Sequence, residues 1–229
     1  MKVLVIIPMY NAGRFIRECL TSILSQGVDL QVIVIDDAST DNSASIVSEF
    51  PEVKLLTNSK NMGTYYSINL GLLEASSDTS WTHYLIHGAD DISNPNRFKK
   101  QLSLFKPNTL AVGCLFERVH YLTGAKKINN PWVNESVILM SRQIFESLGY
   151  YDTNRAGCDT EYRNRLVLAF PNSISQIDEI LIKSYLHDDN LTKKIPLGGS
   201  ERKAYVASFT RIHKEMARTR RFYKEFKKI

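Results

Sequence analysis

The sequence predicts an α/β protein, with a mixed central sheet flanked by helices and a basic helical tail. Apolar runs at Val3 (VLVII), Val32 (VIVI) and Val53 (VKLL) alternate with segments of helical periodicity, the pattern of a parallel sheet. Beyond Leu110 the alternation in LAVGCLFERVHYL reads instead as antiparallel ribbon, which makes the sheet mixed. Residues 201–229 carry ten Lys or Arg against three Glu, a charge of +7 in a chain whose total is +5. The remainder is therefore mildly acidic at −2, and the basic character belongs to the tail. The expected division is a globular unit over residues 1–195 and a basic amphipathic C-terminal helix over 196–229, hinged at PLGGS.

The elements follow in order. After the first strand, Arg14 to Ser25 places Phe15, Ile16, Cys19, Leu20, Ile23 and Leu24 on one helical stripe, and a second helix surrounds Ile46 and Val47 behind the polar run STDNS. A third helix spans Tyr65 to Glu74, the strand HYLIH follows, and a fourth helix begins near Asn96. ESVILMS supplies one more strand before a helix at Arg142. In the tail, Tyr205, Phe209, Ile212, Met216, Thr219, Tyr223 and Phe226 recur at spacings of four and three, one side of a long helix. That side is expected to dock on the globular unit or on a second copy, or to rest on an anionic membrane surface as a peripheral anchor.

Composition removes several function classes. Cys19, Cys114 and Cys158 are odd in number and form no CxxC pair, so neither a disulfide framework nor a zinc site is indicated, and a cytoplasmic location fits. Pro8 ends the first apolar run below the length of a signal-peptide core, and no stretch is long and apolar enough to span a membrane. No GxGxxG follows the first strand and no GxxxxGK[ST] occurs, which argues against dinucleotide and P-loop sites. Ligands of open α/β sheets sit outside the carboxyl ends of the strands. The residues there are PMYN, DDAST, NSKNMG and HGADD, which together offer an aromatic ring, carboxylates, amides and a glycine turn.

VIIPMYN, VIVIDDASTDNS, NSKNMG and GADDISNPNRFKKQ, joined by LGYYD and CDTEYRNR, resemble the family 2 glycosyltransferases in order and spacing over roughly residues 2 to 192. The resemblance implies the GT-A fold, a Rossmann-like arrangement, and transfer of a sugar from a nucleoside diphosphate with inversion. It places Pro8, Tyr10 and Asn11 on the first strand's rim, with the Tyr10 ring stacking on the base, and gives Asp37 the base N3–H. Asp36 is read as tying the adjoining loop, and Ser39 and Asp41 as caps of the next helix. Asn61 and Gly63 belong to the third nucleotide-facing loop, where a small residue lets backbone approach the ligand.

The usual metal motif of that family is Asp-x-Asp, and here Gly88 stands at its first position. By resemblance Asp90 faces the donor's ribose or sugar and Asp91 the metal, the two pointing opposite ways if the chain is extended. Carboxylates beside a diphosphate repel it by about 4 kcal/mol per charge pair at an effective dielectric near 20, so a divalent cation is expected, Mn²⁺ or Mg²⁺. His187, in SYLHDDNLT, resembles a third ligand, and an imidazole tilts the choice toward Mn²⁺. His83, His87, His120 and His213 receive no site role.

The general base of the family is the Asp of a Glu-Asp pair at a helix start. Here Cys158 replaces the Glu and Asp159 remains. Glu161 is the substitute candidate, but it points to nearly the opposite side of the helix, so Asp159 is chosen, with Arg163 and Arg165 as ion-pair partners. No QxxRW motif follows, which favours a single-sugar, non-processive enzyme. The expected donor is UDP- or dTDP-linked and the acceptor a hydroxyl of a glycan or lipid-linked molecule; nucleic acid is not expected as a partner. The competing reading is a weak or inactive sugar-nucleotide-binding module, on account of Gly88 and Cys158. Trp132 is read as an acceptor-stacking ring or as core.

Overall fold

A computed structural model describes residues 1–129, 135–187 and 199–228. Trp132 and the PLGGS hinge from Pro196 to Gly198 lie outside the described residues.

The four early strands are β1 (Lys2–Met9), β2 (Asp29–Asp36), β3 (Val53–Thr57) and β4 (Trp81–Ile86). They pair in parallel in the order β3-β2-β1-β4. Both faces of β1 are buried, as continuous apolar runs require of a parallel strand under helices. Val3, Val5 and Ile7 pack on one face against Ile16, Cys19, Leu20 and Ile23 of α1 (Ile16–Leu24). Leu4 and Ile6 pack on the other against α3 (Thr64–Ala75). Between these lies the short helix α2 (Ser43–Val47). The expected stripe of α1 is the buried one, except that Leu24 stands at its margin.

The second half of the sheet departs from a simple ribbon. β6 (Ala111–His120) pairs antiparallel with β7 (Lys126–Asn129) and with the short β8 (Leu139–Ser141), as the alternation suggests. On its other side it pairs in parallel with β9 (Ile174–Leu186), a strand of 13 residues that the local pattern does not announce. β8 joins this half to β4. ESVILMS, expected as a single strand, is a 3₁₀ turn at Glu135–Val137 before β8. β5 (Asp91–Ser93) hangs on the outer edge of β9, so the residues from His87 to Asp90 cross from the centre of the sheet to its edge. Helices α4 (Arg97–Ser103), α5 (Arg142–Leu148) and α6 (Cys158–Ala169) complete the layers.

The tail is helical over α7 (Ser200–Thr219) and not beyond. The four-and-three spacing continues past that point, but Arg220 adopts a left-handed backbone at φ 56° and the chain turns back. There Lys224 N–H donates to the Leu148 carbonyl at 2.9 Å, and Tyr150 N–H donates to the Lys224 carbonyl at 3.0 Å. The return needs Gly149, since a Cβ at that position would sit 2.1 Å from the Lys224 carbonyl oxygen. Tyr205, Met216, Phe222 and Phe226 pack on the globular unit and Phe209 is buried, while Ile212 and Tyr223 stay exposed. No helix among the described residues is long and apolar enough to cross a membrane.

Candidate active site

The first rim is built by hydrogen bonds between neighbouring loops. Asn11, at φ 50°, donates its N–H to Ser39 Oγ (2.9 Å) and accepts the Thr40 N–H on Oδ1 (2.8 Å). Ala12 N–H donates to Ser43 Oγ and Gly13 N–H to Asp41 Oδ2. Ser39 therefore differs from the cap expected of it, whereas Asp41 does reach the first turn of α2. Ser39 caps nothing, and Asp41 holds the first turn of α2 with one oxygen and the β1 loop with the other. Pro8 lies in β1 one residue before its end at Met9, and Tyr10 projects from this braced loop with 48 % of its surface exposed.

Asp36 accepts the Ser39 N–H on Oδ1 and serves the loop. Asp37 is buried, and its carboxylate gathers the third loop: Oδ1 accepts from Asn58 Nδ2 (2.7 Å) and Met62 N–H (2.8 Å), and Oδ2 from Gly63 N–H (2.8 Å). Of about four lone-pair directions on a carboxylate, these bonds occupy three and leave one on Oδ2. Asn61 accepts a 2.6 Å hydrogen bond from Arg155 Nη1, and that guanidinium covers Gly63. Sequence reasoning gave Arg155 no role, because the loop that carries it is 94 residues from Asn61.

The GADD segment is a turn, closed by Asp91 N–H donating to the Gly88 carbonyl at 3.2 Å. This corrects the expectation of extended chain. An Asp91 oxygen lies 2.7 Å and an Asp90 oxygen 3.0 Å from the point a Gly88 Cβ would occupy, so the two carboxylates flank one place instead of diverging. Glycine at 88 leaves that place open. β9 brings His187 alongside: Tyr185 N–H donates to the Asp90 carbonyl, and His187 Nε2 lies 3.0 Å from Asp90 Oδ2 while its ring stacks on Phe15. Burial raises the Asp90 carboxyl above its ordinary range; the His187 hydrogen bond opposes this and the Asp91 charge adds to it.

Beneath the turn, His87 is fully buried. Its Nδ1 is 2.9 Å from the Gly88 carbonyl, which can only accept, so Nδ1 carries the proton and Nε2 accepts from Ser93 Oγ. Burial, and then the Arg97 charge, pull its pKa down to about 4, so it is neutral scaffolding. Arg97, also fully buried, donates to Ser93 Oγ, Gln101 Oε1 and the Ser136 carbonyl, and Ser136 Oγ accepts the Gly88 N–H. A cation inside the apolar stripe that Phe98 continues was the available sign of this support.

Asp159 stands in the first turn of α6, partly exposed, with Arg202 Nη2 at 3.6 Å. Glu161 faces the interior, where its Oε1 meets Arg165 (2.8 Å), His213 (2.9 Å) and Lys224 (2.9 Å). Burial alone would raise Glu161; the His213 hydrogen bond with the Arg165 and Lys224 charges outweighs it and holds the carboxyl at about 2. Glu161 is thus committed to structure. So is Arg165, which also donates to three backbone carbonyls, whereas Arg163 makes no ion pair among the described residues. Cys158 is buried against the Asn154 carbonyl, and burial pushes its thiol up to about 12.

The profile of Glycosyl transferase family 2 matches residues 4–159. A Haemophilus influenzae protein described as an uncharacterized glycosyltransferase is 30 % identical over 160 residues, which cover 65 % of this chain and 47 % of the relative. The chain thus spans less than half of that relative's length. Among solved structures, Staphylococcus aureus TarS 1-349 in complex with UDP-GlcNAc superposes with a TM-score of 0.76 at 18 % identity, covering 91 % of this chain and 65 % of the 1-349 chain. The mannosyltransferase PcManGT of Pyrobaculum calidifontis, in complex with GDP-Man and Mn²⁺, superposes with a TM-score of 0.64 at 19 % identity, covering 82 % and 58 %.

Proposed function

We propose, because the chain belongs to glycosyl transferase family 2 and has the GT-A fold, that it moves one sugar from a uridine or thymidine diphosphate to an acceptor hydroxyl with inversion. The observation that carries this reading is the convergence of Asp90 and Asp91 above Gly88, with His187 on Asp90, at the carboxyl end of β4. No group of three His, Cys, Asp or Glu side chains poised for a metal occurs among the described residues. The pair of carboxylates nevertheless suits a cation that takes its remaining ligands from a diphosphate. Asp91 and His187 are the residues we assign to it, with Asp90 toward the sugar. When bound, such a cation would neutralise charge on the departing diphosphate oxygens.

The remaining work belongs to side chains. Tyr10 offers its exposed face to a base, and the open lone pair of Asp37 accepts the N3–H that uracil and thymine present. Pro8, Asn11, Asn61 and Gly63 shape the floor between them. Asp159 takes the proton of the acceptor hydroxyl as that oxygen attacks the sugar carbon opposite the leaving diphosphate, which inverts the configuration. The nucleotide sugars in the TarS and PcManGT complexes, and the Mn²⁺ in the latter, support this assignment. Gly88 and Cys158 do not favour an inactive module. Gly88 makes room at the carboxylates, and Cys158 is core.

The test is thermal stabilisation by UDP, dTDP, GDP and CMP sugars, each with Mn²⁺ and with EDTA. A uridine or thymidine donor at 100 times its Kd should add about 2.7 kcal/mol, and Asp91→Ala should remove the metal dependence. Equal stabilisation in EDTA would end the metal assignment.

A further inference from the structure

Between α6 and α7, beside Asp159, lies a cavity of about 450 Å³ lined by Arg163, Arg202, Lys203, Val206 and Ala207. Three cations face one carboxylate there, and only Arg202 lies against it. Arg163 Nη1 is shielded from water yet donates to no group among the described residues, and no ion pair engages Lys203 among them. A guanidinium N–H withdrawn from water without an acceptor is unfavourable, and cations gathered around one hollow repel one another. Both penalties vanish when an anion enters.

We propose that this cavity binds a phosphate group carried by the acceptor. Arg163 offers a planar fork that suits two phosphate oxygens, and Lys203 adds a point charge. Val206 and Ala207 leave an apolar wall beside the phosphate, compatible with a lipid or with the carbon face of a sugar. The inference rests on the transferase reading, since it is the neighbouring Asp159 that makes the occupant an acceptor.

The full chain is saturated with UDP and Mn²⁺, so that the donor side is filled, and titrated by calorimetry with glycerol 3-phosphate, with glycerol, and with farnesyl phosphate in neutral micelles. Glycerol 3-phosphate should bind where glycerol does not, and the double variant Arg163→Gln/Lys203→Gln should weaken it about 100-fold, about tenfold for each charged contact. Tighter binding of farnesyl phosphate supports the site with a lipid-borne phosphate; equal or weaker binding supports it with a soluble one. Lys203→Glu, at an exposed position, reverses one charge and serves if the double variant does not fold. Equal affinity for glycerol and glycerol 3-phosphate, or variants that bind UDP and phosphate as the wild type does, would overturn the proposal. Failure of UDP to bind the wild type would count against the transferase reading instead; phosphate is then titrated onto the chain alone, where loss of binding in the variants still supports the cavity.

Discussion

The rim under Tyr10 and the surroundings of Asp159 are held together in different ways. Around the rim, loops 21 to 31 residues apart are joined by backbone N–H groups, hydroxyls and amides, and the carboxylate of Asp37 is satisfied by three neutral donors. Around Asp159 the ties to the tail run 43 to 72 residues and are ionic or charge-assisted, with Arg202 near Asp159, His213 and Lys224 on Glu161, and Asp152 bonded to both Tyr205 and Lys224. Short loops close at lower entropic cost. The loops under Tyr10 can therefore close on one another locally, apart from the tie from Arg155 to Asn61, whereas the surroundings of Asp159 need the tail.

Removing the tail is the most severe way to break that comparison. Truncation after Gly199 takes away Phe209 and Phe222 and removes His213 and Lys224, two of the three partners of buried Glu161. Breaking a buried ion pair costs up to about 3–5 kcal/mol, less here because Arg165 stays on Glu161, and the lost burial of Phe209 and Phe222 adds to it, against the roughly 5–15 kcal/mol that holds a domain folded. The shortened chain should fail to fold or melt far below the full one by circular dichroism. A truncated chain with unchanged melting would mean that the tail is an attachment and not part of the fold.

The two acidic residues of α6 should separate chemistry from stability. Asp159→Asn should lower sugar transfer by about 10²- to 10⁴-fold, the usual share of a general base, while donor-induced stabilisation persists. Glu161→Gln should chiefly lower the melting temperature. If Glu161→Gln folds normally and loses transfer, the roles are reversed.

Acid should reach the two regions at different pH. His87 has its folded pKa depressed from 6.5 to about 4, so the unfolded chain takes up a proton that the folded chain refuses, and stability falls as pH drops from about 6.5 toward 4. The loss should be about 2 kcal/mol at pH 5. Glu161 is depressed from 4.5 to about 2; its contribution is full above about 4.5 and is lost only as pH falls toward 2, to a total of roughly 3 kcal/mol. Denaturation by urea across pH 4 to 7 should therefore report His87 together with His83, whose pKa burial also lowers to about 4, and a His87 substitution that still folds should roughly halve that slope while leaving the lower limb intact.

How much was legible in the sequence follows the same division. β1 to β4 declare themselves because parallel strands buried on both faces are runs of Val, Ile and Leu, and Tyr10, Asp37, Asp90 and Asp91 follow directly at or beyond their ends. β9 pairs with β6 across some sixty residues, and half of its side chains are polar or charged, so no local pattern marks it. The sequence singled out His187 only through resemblance, as a companion of Asp91 at a metal; its place beside Asp90 comes from β9. Arg155, Arg202 and Lys224 were missed for one reason: each is an ordinary surface cation until the fold carries it to a partner 43 or more residues away.

The gentlest probe of the comparison is Tyr10, a side chain that the fold scarcely uses. Nearly half of its surface is exposed, and the bonds that brace its loop belong to Asn11, Ala12 and Gly13. Removing the ring should leave the melting temperature of the free protein unchanged. Stacking of a base on an aromatic ring is worth about 1–3 kcal/mol, and a ring this open to solvent belongs at the lower end. Tyr10→Ala should therefore weaken UDP binding about fivefold in calorimetry, and Tyr10→Phe, which keeps the ring, should not. A drop in melting temperature without nucleotide would place Tyr10 among the structural residues, and undiminished binding by the alanine variant would remove it from the donor site.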